Sequence, residues 1–192
     1  MKGLIYMTSQ NIRKMVTTAI LIALTIVFQL LRPVLGGSNI ISTYIIGSLV
    51  NVVLMVSACA VGLWSGIAVS VITPLIALWQ NHATLPMLPW IIAGNLVLVL
   101  IFALWALKDK SSLKVEWVRW IIVGVIAMLV KFVVMAYGQG TVIAGSFTPA
   151  SAALFTAAGK QSVQLITAAI ATVLAGIILP SLSAAAGKKA SR

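Results

Sequence analysis

The segment WVRWIIVGVIAMLVKFVVMAY, residues 117–137, decides the fold. It is long enough to cross a bilayer as a helix, which takes about 20 predominantly apolar residues. Backbone groups in lipid must pair within their own segment, so this stretch predicts a transmembrane helix. Its apolar run contains one lysine, Lys131, and the presence of an ammonium group there needs a physical reason.

The composition of the whole chain indicates an integral membrane protein. Of its 192 residues, 61% are hydrophobic and only 8% are charged. A soluble domain of this size has no interior large enough for so much apolar surface. The net charge of +11 could indicate nucleic-acid binding, but the basic residues flank apolar segments, as is typical of membrane topology. We therefore expect no nucleic-acid partner.

Six segments are predicted to be transmembrane helices of a single all-α domain that covers residues 1–192. They lie at residues 15–31, 44–61, 64–79, 88–107, 117–137 and 150–179. The sequence VGLWSG predicts a tight turn, and RPVLGGSNIIST and GQGTVIAGSFTP predict loops rich in glycine and small polar residues. The first segment follows basic residues as a signal peptide would, but no small-residue cleavage site follows it, so we expect it to be retained.

The basic residues are distributed unequally between the two sides of this arrangement. On the side of the termini and of the 108–116 loop lie Lys2, Arg13, Lys14, Lys108, Lys110, Lys114, Arg119, Lys188, Lys189 and Arg192. The opposite side has Arg32 alone, which we expect to reach the outer headgroups. The positive-inside rule therefore predicts that both termini are cytoplasmic.

Two lysines, Lys131 and Lys160, fall inside predicted spans. An ionisable group in lipid costs about 2.5–3.5 kcal/mol or more, and such groups usually face a protein interior or a water-filled cavity. The two acids of the chain, Asp109 and Glu116, lie on the predicted cytoplasmic side, away from both lysines. The lysines therefore either hold a negative charge that a ligand supplies or extend to the outer headgroups.

Polar residues in the last predicted span favour the first of these interpretations. Thr156, Lys160, Gln164 and Thr167 follow the i, i+4, i+8, i+11 spacing of one helix face. The same stripe continues in small residues that allow close helix packing, namely Ala168, Ala171 and Ala175. Asn95 of the fourth span is the best candidate among the uncharged polar groups of the other helices, although such a group can also simply bond between helices.

Several classes of active site are excluded by what the chain lacks. It has no glycine-rich phosphate-binding motif ending in Lys-Ser/Thr, so it does not hydrolyse ATP itself. His82 is the one histidine and Cys59 the one cysteine, so neither a catalytic triad nor a metal site is predicted. No paired carboxylates exist for acid–base work. We expect a protein that is not an enzyme, needs no cofactor, and has a pocket open to the outside.

This layout resembles the substrate-binding S component of an energy-coupling factor (ECF) transporter. The first helix, TTAILIALTIVFQLL, carries Ala19 and Ala23 in a small-x-x-x-small pattern that is similar to the motif with which the family docks on its coupling subunit. The stretch IIGSLVNVVLMVSACAVGLWSGIAVSVITPLIAL resembles the second and third helices of the family, with their short glycine-containing turn. The resemblance covers nearly the whole chain.

The resemblance implies a function and a place for the site. An S component in a prokaryotic cell membrane captures a vitamin-like molecule from outside, docks on a transmembrane coupling subunit with two cytoplasmic ATPases, and topples to release its substrate. The outer halves of helices four to six and the first outer loop form the site, which adds Trp90, Tyr137 and Asn39 to the candidates. Trp90 can alternatively serve as an interface anchor.

The absence of acids on the outer side argues against a cationic substrate and favours an anionic one. Pantothenate is the first choice, because its carboxylate suits the lysines and its hydroxyl and amide groups suit Asn95, Gln164 and Thr167. Biotin, nicotinate, folate and a tetrapyrrole with two propionates stay open. The alternative functions are a non-transporting scaffold subunit of a cell-envelope complex and a small channel or independent carrier.

Overall fold

The computed structural model describes residues 9–37, 39–108 and 116–190, which form helices joined by short connections. The α-helices are α1 Ser9–Leu30, α2 Ile40–Val56, α3 Leu63–Trp79, α4 Leu88–Lys108, α5 Trp117–Ala144, α6 Ser151–Gln161 and α7 Val163–Ala190. One π-helical turn, Ser57–Val61, extends α2. Some residues used in the topology prediction lie outside the described ranges, namely Lys2, Asp109, Lys110, Lys114 and Arg192.

Length and apolar composition make several of these helices candidates for membrane spans. The five candidates in the described part of the chain are Ser9–Leu30, Ile40–Val61, Leu85–Leu107, Trp117–Ala144 and Ser151–Leu182. Helix α3 is also apolar but is shorter than these. The prediction of an all-helical, multi-pass membrane protein agrees with this architecture.

The connections between helices define two ends of the bundle. One end, which we call the loop end, carries the connections 31–39, 80–87 and 145–150. The opposite end, which we call the turn end, carries the sharp turn predicted from VGLWSG. Gly62 makes this turn with a φ of +125°, which glycine adopts without steric cost.

Helix α2 is central in the bundle and α1 is peripheral. Within the candidate span Ile40–Val61, which contains α2, 61% of the most apolar stretch is buried inside the protein. Only 11% of the corresponding stretch of α1 is buried. Helix α2 packs against α7, and α5 packs against both α4 and α7. The predicted close packing of the small stripe is confirmed, because Ala168, Ala171 and Ala175 are fully buried.

The predicted loop at residues 138–149 is wrong in its first half, because α5 continues to Ala144. Gly138 and Gly140 are helical residues at which neighbouring side chains approach the backbone closely. A Cβ on Gly138 would lie 2.2 Å from Cγ of Trp90, and one on Gly140 would lie 2.9 Å from Cδ2 of Leu154. The helix ends at Gly145, whose φ of +65° is the left-handed conformation typical of helix ends.

The predicted single helix at residues 150–179 is divided into α6 and α7 by a break at Ser162. The break is local, because Ser162 keeps right-handed helical backbone angles, but the four residues of the predicted polar stripe differ in exposure. Thr156 and Lys160 of α6 are exposed, whereas Gln164 and Thr167 of α7 face the bundle interior. The four residues therefore do not share one face.

The close contact at Gly138 leads to a prediction about stability. Gly138→Ala forces the new methyl group against the Trp90 ring, and overpacking of this kind costs about 1–3 kcal/mol. We expect a lower midpoint of thermal unfolding for the detergent-purified protein. Gly159→Ala is the matched control, because nothing lies within 4 Å of a Cβ at that helical position. Equal unfolding midpoints for the two variants would contradict the packing described here.

Candidate functional site

A cavity of about 210 Å³ lies between the helices at the loop end. Every described α-helix except α6 contributes to its wall. The lining residues are Gln29, Arg32, Thr43, Gly47, Val50, Asn51, Thr73, Pro74, Ala77, His82, Ala83, Ile91, Asn95, Lys131, Met135, Val163, Gln164 and Thr167. None of these lining residues is acidic, so the described wall presents only neutral and basic groups.

Two amide side chains hold the ammonium group of Lys131 in the wall of this cavity. Its Nζ donates a hydrogen bond to Oδ1 of Asn51 at 2.7 Å and another to Oδ1 of Asn95 at 3.0 Å. Lys131 itself is only 3% exposed. An ammonium group has three N–H donors, so these two bonds leave one donor for a ligand.

The positive charge of Lys131 is not neutralised by an acid among the described residues. Glu116 pairs with Arg119 across 3.0 Å at the turn end, and Asp109 lies outside the described ranges. Amide oxygens satisfy the hydrogen-bonding capacity of the ammonium group but carry no net charge. The site can therefore lower its energy by taking up an anion.

The sequence around each amide explains how these groups meet. Gly94 lets α4 approach α5 closely, since a Cβ there would lie 3.1 Å from Sδ of Met135 and 3.5 Å from Cγ of Lys131. The next residue, Asn95, is thereby placed beside the lysine. On the other side, Nδ2 of Asn51 donates to Oγ1 of Thr167 at 3.3 Å, which joins α2 to α7.

A second basic group, Arg32, borders the cavity from the 31–39 connection. Burial lowers the pKa of the Arg32 guanidinium, but an arginine remains protonated in proteins. Burial and then the charge of Arg32 lower the pKa of His82 below its ordinary value. These two effects favour the neutral form of His82, so the strongly basic groups in the lining are Arg32 and Lys131.

Comparison with known proteins identifies the family to which the chain belongs. A family model described as the ECF transporter substrate-specific component matches residues 13–186. The chain belongs to this family. Searches of curated proteins and of solved structures gave no significant match. The protein is thus a transporter component with a substrate-binding task, and the family is not one of enzymes.

Within this S component, the cavity brings together four of the residues predicted from the sequence. Lys131, Asn95, Gln164 and Thr167 come from α4, α5 and α7 and all line its wall. Their part in substrate binding stays a prediction, but their common location is what that prediction requires. The described residues of the S component also contain no group of three or more potential metal ligands.

The other predicted residues lie elsewhere in the S component. Lys160 is exposed on α6 and does not line the cavity. Asn39 caps α2, because its Oδ1 accepts from the backbone N–H of Ser42 at 2.7 Å and its Nδ2 donates to the Leu35 carbonyl at 2.9 Å. These contacts occupy both polar groups of the Asn39 side chain in the 31–39 connection.

Trp90 and Tyr137 pack against each other beside a separate groove at the loop end. Their ring centroids are 5.7 Å apart in an edge-to-face arrangement. The Tyr137 hydroxyl donates to the Phe147 carbonyl at 2.7 Å, which ties the 145–150 connection to α5. Trp90 and Phe147 both line this groove, which does not include Lys131.

Some cavity residues were not among the candidates predicted from the sequence. Asn51 was noted as a polar residue of its helix, but nothing in the sequence shows that it faces Lys131 across 80 positions. The sequence analysis predicts that Arg32 reaches the headgroups, and it assigns no role to Gln29. A usable signal was that Gln29 and Arg32 are the polar residues closest to the loop end of the first apolar helix.

The predicted docking residues Ala19 and Ala23 are both exposed on α1 of the S component. Large apolar side chains on the same helix are exposed as well, including Met15 at 59% and Ile20 at 61%. This surface faces lipid or a partner, since apolar side chains of this size are stable in either environment. The role of the two alanines in docking stays a prediction.

Proposed function

We propose that this S component captures a small carboxylate-bearing molecule from outside the cell and delivers it to a coupling module. The observation that carries this proposal is the buried ammonium group of Lys131, which lies in the cavity wall with amide partners and without a described acid. A carboxylate in contact with this group makes a charge-assisted hydrogen bond, which is about twice as strong as a neutral one.

Arg32 strengthens the preference for an anion. Two cations border one cavity, and a cationic ligand would be repelled by both of them. Repulsion in a poorly hydrated site is an effective means of rejecting the wrong class of substrate. We therefore propose that the site rejects cationic vitamins.

The size of the cavity favours a small ligand. Its volume of about 210 Å³ lies below the range of about 300–1,000 Å³ that is usual for pockets that bind drug-sized ligands. Folate and a tetrapyrrole are larger than pantothenate, nicotinate or biotin and need a wider site. Pantothenate remains our first choice, because it combines one carboxylate with the hydroxyl and amide groups that Asn95, Gln164 and Thr167 can meet.

For transport, we propose that the six segments predicted from the sequence cross the membrane, with α6 and α7 together as the sixth. We also propose that the loop end faces the outside. The basic residues flanking the opposite ends of the helices support cytoplasmic termini. The loaded protein would then dock through Ala19 and Ala23 on a coupling subunit that carries two ATPases, as S components do. We propose that the protein lies in the cell membrane of a prokaryote, as its resemblance to S components implies.

Calorimetry with matched acids and amides tests the substrate class. We expect the purified protein to bind pantothenate, or else nicotinate or biotin, at least about tenfold more tightly than the corresponding amide, a difference of about 1.4 kcal/mol. The reason is that amidation removes the charge that Lys131 and Arg32 attract. Tight binding of the cationic vitamin thiamin, or equal binding of acid and amide, would contradict the proposal.

A further inference from the structure

Gln29 of α1 is a buried cavity residue that the anionic site described above does not explain. It is 3% exposed and lines the same cavity as Lys131. Its Nε2 donates a hydrogen bond to the backbone carbonyl of Thr73 in α3 at 2.8 Å. Its Oε1 is buried and has no hydrogen-bond partner among the residues that the structure describes.

The contact with Thr73 fixes the orientation of the Gln29 amide. A backbone carbonyl only accepts hydrogen bonds, so the NH₂ group and not the oxygen must face it. Rotating the amide by half a turn would bring two acceptors together and lose this bond. The side-chain oxygen is therefore held away from the Thr73 carbonyl, on a residue that lines the cavity.

A buried acceptor without a partner is unfavourable and is rare in folded proteins. No described side chain donates to Gln29 Oε1, whereas Asn51 and Asn95 in the same cavity are both engaged with Lys131. The wall of the cavity thus contains a donor, on Lys131, and a buried acceptor without a described partner, on Gln29. A ligand with complementary groups would satisfy both.

We propose that Gln29 is a specificity-determining residue whose Oε1 accepts a hydrogen bond from a hydroxyl or N–H group of the substrate. This inference rests on the proposed function, and it narrows the substrate class to carboxylates that also carry a hydrogen-bond donor. Carboxylates that lack a donor leave the Gln29 oxygen unpaired and bind more weakly.

The test measures a ratio of affinities by calorimetry on the purified full-length protein. The probes are pairs of carboxylates of which one member carries hydrogen-bond donors and the other has none apart from its acid group: pantothenate and its N-methyl analogue without hydroxyls, biotin and N,N′-dimethylbiotin, and 6-hydroxynicotinate and nicotinate. The pair that contains the tightest binder is used throughout. We expect the wild type to prefer the donor-bearing member by about tenfold, or about 1.4 kcal/mol.

Two variants of Gln29 separate recognition from structure. Gln29→Met removes the acceptor, so the ratio should fall to near one. Gln29→Glu retains an acceptor but loses the donor to the Thr73 carbonyl, so the ratio should stay above that of Gln29→Met even though the added negative charge weakens both probes. Thr18→Ala is the control, because it removes another α1–α3 bond, from Thr18 Oγ1 to Ser65 Oγ at 2.9 Å, without touching the cavity.

The outcomes distinguish the two proposals from each other. If Gln29→Met weakens both members of a pair equally, Gln29 only joins α1 to α3 or binds water, and this inference is overturned while the anionic site stands. A wild-type ratio near one likewise overturns it. If no carboxylate binds the wild type, the proposed function fails and this inference fails with it.

Discussion

Replacing Lys131 with methionine is expected to weaken the binding of the carboxylate probe by at least about tenfold, or about 1.4 kcal/mol. Methionine preserves much of the length and apolar volume of the side chain but removes its charge and its donors. It also leaves Oδ1 of Asn51 and of Asn95 without the donor that they share, and buried unpaired acceptors are costly. Calorimetry on the purified variant measures the loss.

Lys160→Met is the matched control for this experiment. The sequence alone predicts that both lysines bind the substrate, but the structure places Lys160 on the exposed side of α6, outside the cavity wall. We therefore expect a much smaller loss of affinity for Lys160→Met than for Lys131→Met. Wild-type affinity in the Lys131 variant would show that this lysine only satisfies the amide groups around it.

Replacing Ala19 or Ala23 with leucine is expected to abolish uptake in cells while leaving substrate binding to the isolated protein intact. Small side chains let two helices approach closely, and leucine would hold the coupling subunit away from α1. Both alanines are exposed and neither lines the cavity, so binding should not change. Uptake of labelled substrate, co-purification of the coupling subunit and calorimetry together check this result.

The control for the docking variants is Ala152→Leu, the same change at an exposed alanine of α6. It should leave uptake and co-purification at the wild-type level. Normal uptake by both α1 variants would place the docking surface elsewhere. Co-purification of the wild type with cell-envelope scaffold proteins, in the absence of a coupling subunit and ATPases, would favour the scaffold alternative.

The helical architecture could be predicted from the sequence because apolar length alone determines what can cross a bilayer. The prediction of the end of α5 is wrong, because glycine occurs both at helix ends and at close contacts between helices. The sequence predicts that Gly138 and Gly140 are loop residues, but they lie inside α5, where Trp90 and Leu154 approach their backbones closely. Gly145, with its positive φ, is the glycine that ends the helix. Sequence alone does not distinguish a packing glycine from a terminating one.

The candidate site could be predicted only in part, because helical periodicity relates residues of one helix and not of different helices. It placed Gln164 and Thr167 on one surface, and both line the cavity, whereas Lys160 is exposed on α6 and does not line it. The contacts of Lys131 with Asn51 and Asn95 join three helices, and neither the neighbours nor the rotation of a helix follows from its own sequence. Those facts come from the packing of the whole bundle.

Mass spectrometry of the small molecule that remains bound after detergent extraction tests the central claim most directly. The account predicts that the wild type retains a small molecule with a carboxylate and that the Lys131→Met protein, purified in parallel, has lost it. A cationic or uncharged molecule on the wild type, or equal retention of the same acid by both proteins, would contradict the account.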